Sequence, residues 1–484
     1  MTFVSDLKPE ALWRHFDQIL TIPRGSKNEE AMRRYVTGVA DRLGLAVAGD
    51  SAGNLVVVKP ATPGREGAAV TILQAHLDMV NEKNSDVDHD FERDPIVPQR
   101  DGDFLKATGT TLGSDNGIGV AAMLAIAEAK DLAHGPLELL FTIDEETGLT
   151  GATQLDPALL GGRRLINLDS EEEGTLTVGC AGGAGSRISL PLEREMPVPG
   201  ATAWEITVAG LKGGHSGVDI HLQRGNASSI LARGLFAAQE AAPLRLASFA
   251  GGDKHNAIPR EARAVVVAGA AARDALREAF ARELEAVRAE VKPEDPGLRY
   301  EIAEVALPER VWTESVTRRA LALLRALPHG VLVMSYDIPG LVETSTNLAT
   351  VAERDGDLVI AMSNRSSVAT ALRAVQGRMR ALGELAGAKV ESLEGYPGWK
   401  PNLESELLAA TQRVHERLFA KAAHVGAMHA GLECGIVGEK VPGMDMISFG
   451  PTIQNPHSPD ERVHIPSVER FWQLLTALLD DLAA

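Results

Sequence analysis

Cysteine is nearly missing from this sequence: Cys180 and Cys434 are the only two among 484 residues. Two thiols in so long a chain do not make a disulfide framework, which points to a reducing compartment, the cytoplasm. Aromatic residues are scarce at 4%, so the core must rest on Leu, Val, Ala and Ile. Basic residues are outnumbered, 48 Lys and Arg against 66 Asp and Glu, for a formal net charge of −18. That balance argues against nucleic acid as a partner and, more weakly, against an anionic membrane surface. No apolar run reaches membrane-spanning length, and the opening "MTFVSDLKPEALWRHFDQIL" carries charges throughout, with no apolar core of signal-peptide length. What remains is ordinary for a soluble globular chain, with 44% hydrophobic and 24% charged residues. The length is too great for one ordinary core, so two domains or more are expected.

Apolar residues recur at three- and four-residue spacing over 8–20 and 28–44, which predicts helices there. "NLVVVKP" (54–60), "AVTILQAHLDMV" (69–80), "LELLFTI" (137–143) and "RRLINLD" (163–169) read as strands, and "GIGVAAMLAIAEA" (117–129) as a helix. Strands alternating with helices predict an α/β layer with a mostly parallel central sheet. The Gly-rich "VGCAGGAGSR" (178–187) is either a crossing between domains or a turn inside one. With the Pro/Gly cluster "GYPGWKPN" (395–402) as the return point, the expected organisation is a catalytic domain of 1–185 and 395–484. An α+β domain, 186–394, is inserted in it, large enough for two small units side by side.

Four stretches share one form, a strand ending in residues of metal-ligand type. "LQAHLDMV" offers His76 and Asp78, "TLGSDNGIG" Asp115, "FTIDEETG" Glu145 and Glu146, and "LINLDSEEEG" Asp169. Ligand sites in parallel α/β sheets lie outside the carboxyl ends of the strands, so these residues should meet. Singly each is weak: a lone His–x–Asp more often marks a hydrogen-bonded pair, and "GSDNG" makes a good tight turn by itself. Together, an imidazole and several carboxylates suit zinc, cobalt or manganese. "NPHSPDE" adds His457 in a Pro-bracketed loop, whereas His464 sits on an apolar segment and reads as structural.

The motifs "HLDMV", "GTTLGSDNGIGVA", "TIDEETGLTGA", "NLDSEEEG", "GLKGGHSGVDIHLQRGNA" and "NPHSPDE" resemble those of the di-zinc peptidase superfamily that includes glutamate carboxypeptidases, desuccinylases and carnosinases. "LVETSTNLA" is similar to its aminoacyl-histidine dipeptidase branch. The resemblance implies two divalent metal ions, with His76, Asp115 and Asp169 holding one and Asp115, Glu146 and His457 the other. Asp78 would orient the His76 imidazole, and the Asp115–Asn116 peptide would be cis. Glu145 would be the general base acting on a metal-bridging water, and His215 in the inserted domain would stabilise the oxyanion. Asn256 and Arg365 would contact substrate, Arg365 clamping its free carboxylate, and Glu433 and Gly435 would line the substrate pocket. His221, His255, His424 and His429 are read as having no such role.

The implied reaction is hydrolysis of unblocked dipeptides, Xaa-His (carnosine-like) among them. Two alternatives stay open: an aminoacylase or carboxypeptidase acting on N-acyl amino acids, and a non-catalytic metal-binding module. Glu145 beside Glu146 speaks against the module, since a purely structural site needs no base. A homodimer is the family habit, and whether His215 serves its own chain is open. The role of Asp144 is not readable beyond hydrogen bonding at a turn.

Overall fold

The computed structural model describes residues 6–484; the first five residues of the charged N-terminal stretch lie outside the described residues. The chain divides into two compact units, one of residues 1–179, 399–427 and 432–484, the other of residues 180–398 with 428–431.

The first unit is built on an eight-stranded sheet in the order Ala46–Gly49, Leu55–Lys59, Leu137–Thr142, Thr71–His76, Arg164–Asn167, Asp445–Ser448, Thr175–Cys180, His424–Met428. Its middle four strands are mutually parallel, with His76 opposite Thr142, Gln74 opposite Asn167 and Ser448 opposite Asn167. Ala46–Gly49 and Leu55–Lys59 pair antiparallel with each other, and Leu55–Lys59 and Thr175–Cys180 pair antiparallel with the outer strands of the parallel set. Every residue of Thr71–His76 is buried, as expected where both faces of a parallel sheet are covered. Part of that cover is the helix Ser114–Glu128, which packs on this strand and on the helix Glu10–Ile19. It is buried almost all round, from Ile118 to Ala127, so its sequence shows no polar stripe. At its C-terminal end, where carbonyls run short of helical N–H donors, the buried Lys59 supplies them. The Nζ lies 2.7, 3.0 and 2.7 Å from the oxygens of Ile126, Ala127 and Ala129.

The parallel register carries all four strands to the same edge, and the chain segments leaving them hold His76, Glu145, Asp169 and His457. A small sheet in the order Ile453–Gln454, Arg462–His464, Phe104–Ala107, Pro98–Asp101 fixes both ends of the His457 loop. Here His464 has its ring centroid 5.0 Å from that of Phe104, the structural position expected of it.

The second unit holds a nine-stranded sheet made of two halves side by side. Arg299–Val305, Ala201–Ala209, Ala262–Gly269 and Arg245–Gly251 form one half. Val342–Arg354, Asp357–Ser366, Gly182–Pro191 and Lys389–Tyr396 form the other, with Gly330–Met334 beside Val342–Arg354. The halves join where Gly251 pairs with Val351. One core runs beneath both, including Leu231, Phe249, Phe280, Trp312, Leu348 and Ile360.

Candidate metal centre

Asp115 stands between two imidazoles. Its Oδ1 is 3.0 Å from His76 Nε2 and its Oδ2 is 3.1 Å from His457 Nε2. On one side His76 Nε2 also lies 3.2 Å from Asp169 Oδ1; on the other His457 Nε2 lies 3.0 Å from Glu146 Oε2. Two ligand groups result, His76–Asp115–Asp169 and Asp115–Glu146–His457, each with donor atoms within 4.8 Å of one another, and Asp115 belongs to both. A third such group, His76–Glu145–Glu146, brings Glu145 to the same place. The residues fit a pair of divalent cations by their chemistry, imidazole nitrogen with carboxylate oxygen. They also fit by what the protein leaves undone: Glu146 Oε1 is buried with no hydrogen-bond partner among the described residues, a rare condition for a carboxylate.

The electrostatics of the residues agree. Burial pushes the Asp169 carboxyl up to about 7, with the nearby Asp115 adding to the rise against the pull of His76. Burial also pushes Glu145 well above the usual carboxylate range, with His76 opposing and Asp169, Glu146 and Glu433 reinforcing. Hydrogen bonds to Asp115 and then Glu146 push the His457 imidazole up to about 11. A cluster in which carboxylates resist ionisation and an imidazole holds its proton lacks positive charge, which cations would supply.

Local structure sets each side chain. His76 ends its strand and is buried. Its Nδ1 is 3.4 Å from Asp78 Oδ1, the arrangement in which a carboxylate orients a ligating imidazole. The same Asp78 carboxylate accepts from the backbone N–H of Glu145 at 3.0 Å and of Glu146 at 3.2 Å, and from Ser26 Oγ at 2.8 Å. Burial alone would raise the Asp78 carboxyl, but His76 foremost, with these donors, holds it at about 2. Asp144 enters the turn at φ 47°. Its two oxygens accept from Thr147 Oγ1 and Thr150 Oγ1, and its N–H donates to Glu29 Oε1. Glu145–Gly148 is then a short helical turn, where an extended segment would have set Glu145 and Glu146 on opposite sides. The tight Asp144 turn is the reason: the two glutamates diverge by a helical step, one toward each imidazole. The Asp115–Asn116 peptide is cis, and Asn116 Nδ2 donates to Asp169 Oδ1 at 2.6 Å. Asn116 lies inside a motif that reads as a turn in sequence; its tie to Asp169 has no local signature.

Glu433 opens the helix Glu433–Lys440, with Gly435 buried in its first turn. Glu433 is fully buried, and its Oε2 accepts from Gln74 Nε2 at 2.6 Å and Thr142 Oγ1 at 2.7 Å. Gln74 in turn accepts from Asn167 Nδ2 at 2.5 Å, so a row of polar side chains crosses three parallel strands just before their ligand-bearing ends. Burial pushes the Glu433 carboxyl up to about 7, and its Oε1 has no hydrogen-bond partner among the described residues.

The second unit brings His215 and Arg365 together. His215 Nδ1 accepts from the N–H of Gly217 at 3.2 Å and of Val218 at 3.0 Å, which fixes the ring and turns Nε2 outward. Arg365 is buried; its Nη1 donates to Tyr396 Oη at 3.0 Å, its Nη2 is 3.5 Å from His215 Nε2, and its Nε is unpartnered among the described residues. Asn256 is exposed, and its carbonyl accepts from Ser216 N at 2.8 Å, beside His215. His221, His255 and His424 are exposed. His429, in contrast, is buried with Nε2 2.7 Å from Ser345 Oγ. Burial first, then the nearby Arg365, pushes it down to about 3. Because its folded value lies below the unfolded one of about 6.5, its contribution to stability is complete above that pH and is lost as pH falls toward 3. Thermal unfolding followed between about pH 7 and pH 4 should therefore show a shallower decline in His429→Gln than in the unmodified chain; equal slopes would contradict a neutral buried ring.

The sequence profile of Peptidase family M20/M25/M40 matches residues 72–481. The chain is 43% identical over 484 residues, all of both chains, to the cytosol non-specific dipeptidase of Escherichia coli (strain K12). The crystal structure of aminoacylhistidine dipeptidase from Vibrio alginolyticus is similar at a TM-score of 0.91 and 43% identity, covering 99% of this chain and 97% of that one. Aminopeptidase PepT from Bacillus cereus ATCC 10987 shares the fold at a TM-score of 0.57 and 16% identity, covering 99% of this chain and 100% of that one. With a family profile spanning most of its length and a curated relative matched from end to end, this chain belongs to Peptidase family M20/M25/M40.

Proposed function

We propose that this chain is a two-metal dipeptidase that hydrolyses unblocked dipeptides, Xaa-His among them, in the cytoplasm. The observation that carries the reading is the carboxylate of Asp115 shared between two ligand groups, with Glu145 beside them. The names of the 43% identical relatives support the substrate class. The second unit acts as the lid in this reading, and the active form is a homodimer. His76 and Asp169 would complete one ligand set, and Glu146 and His457 the other, around zinc, with cobalt or manganese as substitutes. Bound there, the cations supply Lewis acidity toward the scissile carbonyl and offset the crowded negative charge.

The protein's own groups do the rest. Glu145 takes a proton from the attacking water and delivers it to the leaving amine. Burial and the neighbouring carboxylates raise its proton affinity, and cations bound beside it would offset that rise so that the carboxylate can first act as a base. His215 donates from Nε2 to the oxyanion. Arg365, whose planar fork matches a carboxylate and whose Nε is free, binds the dipeptide's C-terminus. Asn256 contacts the substrate from the adjoining loop, while Glu433 and Gly435 line its pocket.

A hydrolysis panel of free and N-blocked dipeptides tests the substrate class. Free dipeptides, with Xaa-His in the set, should be the better substrates; preferential cleavage of the blocked ones would assign the chain to the aminoacylase or carboxypeptidase type.

A further inference from the structure

The loop that presents His457 ends in Glu461, whose carboxylate is 2% exposed and lies in a cradle of donors on the Asp115 turn. Its Oε2 accepts from the N–H of Leu112 at 2.9 Å and of Gly113 at 3.0 Å. Its Oε1 accepts from Ser114 N at 2.7 Å, Ser114 Oγ at 2.6 Å and Asp115 N at 3.4 Å. Opposite stands Arg24, also 2% exposed. Its Nη1 donates to the carbonyls of Leu77 at 3.0 Å and Asp78 at 2.7 Å, and its Nη2 to the carbonyl of Gly113. The backbone makes room for the guanidinium: a Cβ on Gly113, at φ +71°, would sit 2.5 Å from Arg24 Nη2, and one on Gly117 2.9 Å from it.

We infer that Arg24 and Glu461 are a buried positioning pair that sets the shared carboxylate of Asp115 in register with His76 on one side and His457 on the other. Glu461 ties the His457 loop to the Asp115 turn, and Arg24 ties the same turn to the strand end carrying His76 and Asp78. The loop needs such a tie, because His457 itself stands at φ 59° and Asn455 at φ 53°, where side-chain-bearing residues are uncommon. Neither residue touches the donor atoms that would face a cation, so each acts through the ligands it places. Arg24 also puts a fixed positive charge among Glu461, Asp78, Asp115 and Glu146. Carboxylates and cations buried together are stable only while both are present.

The inference rests on the two-metal reading above, and one experiment separates the two. Metal-stripped wild-type, Glu461→Gln, Glu461→Ala and Arg24→Lys proteins are titrated with cobalt against a chromophoric chelator, with the visible cobalt spectrum, kcat, KM and thermal unfolding recorded. Glutamine keeps the size of Glu461 but turns an NH2 toward part of the donor cradle, which opens the Asp115 turn. Glu461→Gln should bind cobalt about 10- to 100-fold more weakly than wild type, the usual effect of losing a group that orients a ligand. Its cobalt spectrum should change, and kcat should fall more than KM rises. Arg24→Lys, whose single ammonium cannot stand in for the two separate nitrogens that reach the Leu77 and Asp78 carbonyls on one side and that of Gly113 on the other, should do the same. Native cobalt affinity and spectrum in Glu461→Gln, even with a lower unfolding temperature, would overturn the inference and leave Glu461 a stabilising residue only. Should Glu461→Ala fail to fold, the near-isosteric Gln and Lys variants still decide. Wild-type protein that binds no cobalt would sink the two-metal reading instead.

Discussion

Replacing Glu145 with alanine should leave the bound metal in place and slow dipeptide hydrolysis by about 100- to 10,000-fold, the range set by loss of a general acid–base group. The expectation rests on a division of labour within one short turn. Glu146 points at His457, with Oε2 3.0 Å from its Nε2, and shares a ligand group with it and Asp115. Glu145 is needed by neither of the two groups that share Asp115. Its backbone N–H is fixed by Asp78, as is that of Glu146, so the turn survives truncation of the side chain. Metal content by elemental analysis and initial rates on the same preparation check both halves. Unchanged activity would end the mechanism, whereas a loss of metal with activity would make Glu145 a ligand.

Truncating Asp115 should do the opposite and remove metal binding together with activity. Asp115 serves both groups; burial would raise its carboxyl, but hydrogen bonds from His457 and His76 hold it well below the usual range. Without it the two imidazoles lose their common partner, and the remaining sets, His76 with Asp169 and Glu146 with His457, are too small to hold an ion firmly. In Asp115→Ala, elemental analysis should find metal in large deficit and hydrolysis at background. Chelation of the unmodified enzyme should give the same inactive state, reversed by zinc, cobalt or manganese, while Asp115→Ala should not respond to added metal. A variant that retains its metal and its activity would contradict a shared carboxylate.

The middle of the central sheet is readable in the sequence because parallel strands covered on both faces become short apolar runs. "AVTILQAHLDMV", "LELLFTI" and "RRLINLD" contain the strands Thr71–His76, Leu137–Thr142 and Arg164–Asn167. The ligand-type residues are readable because they stop those runs. The helix start is harder. The apolar run that reads as a helix begins at Gly117, whereas the helical segment begins at Ser114 and carries non-helical backbone at Asp115 and Asn116. Of the supporting shell, Asp78 is legible beside His76, but the long-range ties of Glu461 and Glu433 are not. Glu461 caps a turn that lies 347 residues earlier in the chain at Ser114, and Glu433 reaches Gln74 across 359. Such side chains look like ordinary surface carboxylates until the fold buries them. Asp144 is intermediate: its place in a turn is legible, but its partners Thr147, Thr150 and Glu29 emerge only from the geometry. Likewise 428–431, close in sequence to Glu433, groups with the second unit, a placement that no composition shift announces.

The central claim, two cations held in common by Asp115 and required for catalysis, is tested most directly by zinc titration of the metal-stripped enzyme with hydrolysis of a free dipeptide followed at each point. Activity should rise from background and level off at two equivalents per chain. Full activity in protein that elemental analysis finds free of metal would contradict the account.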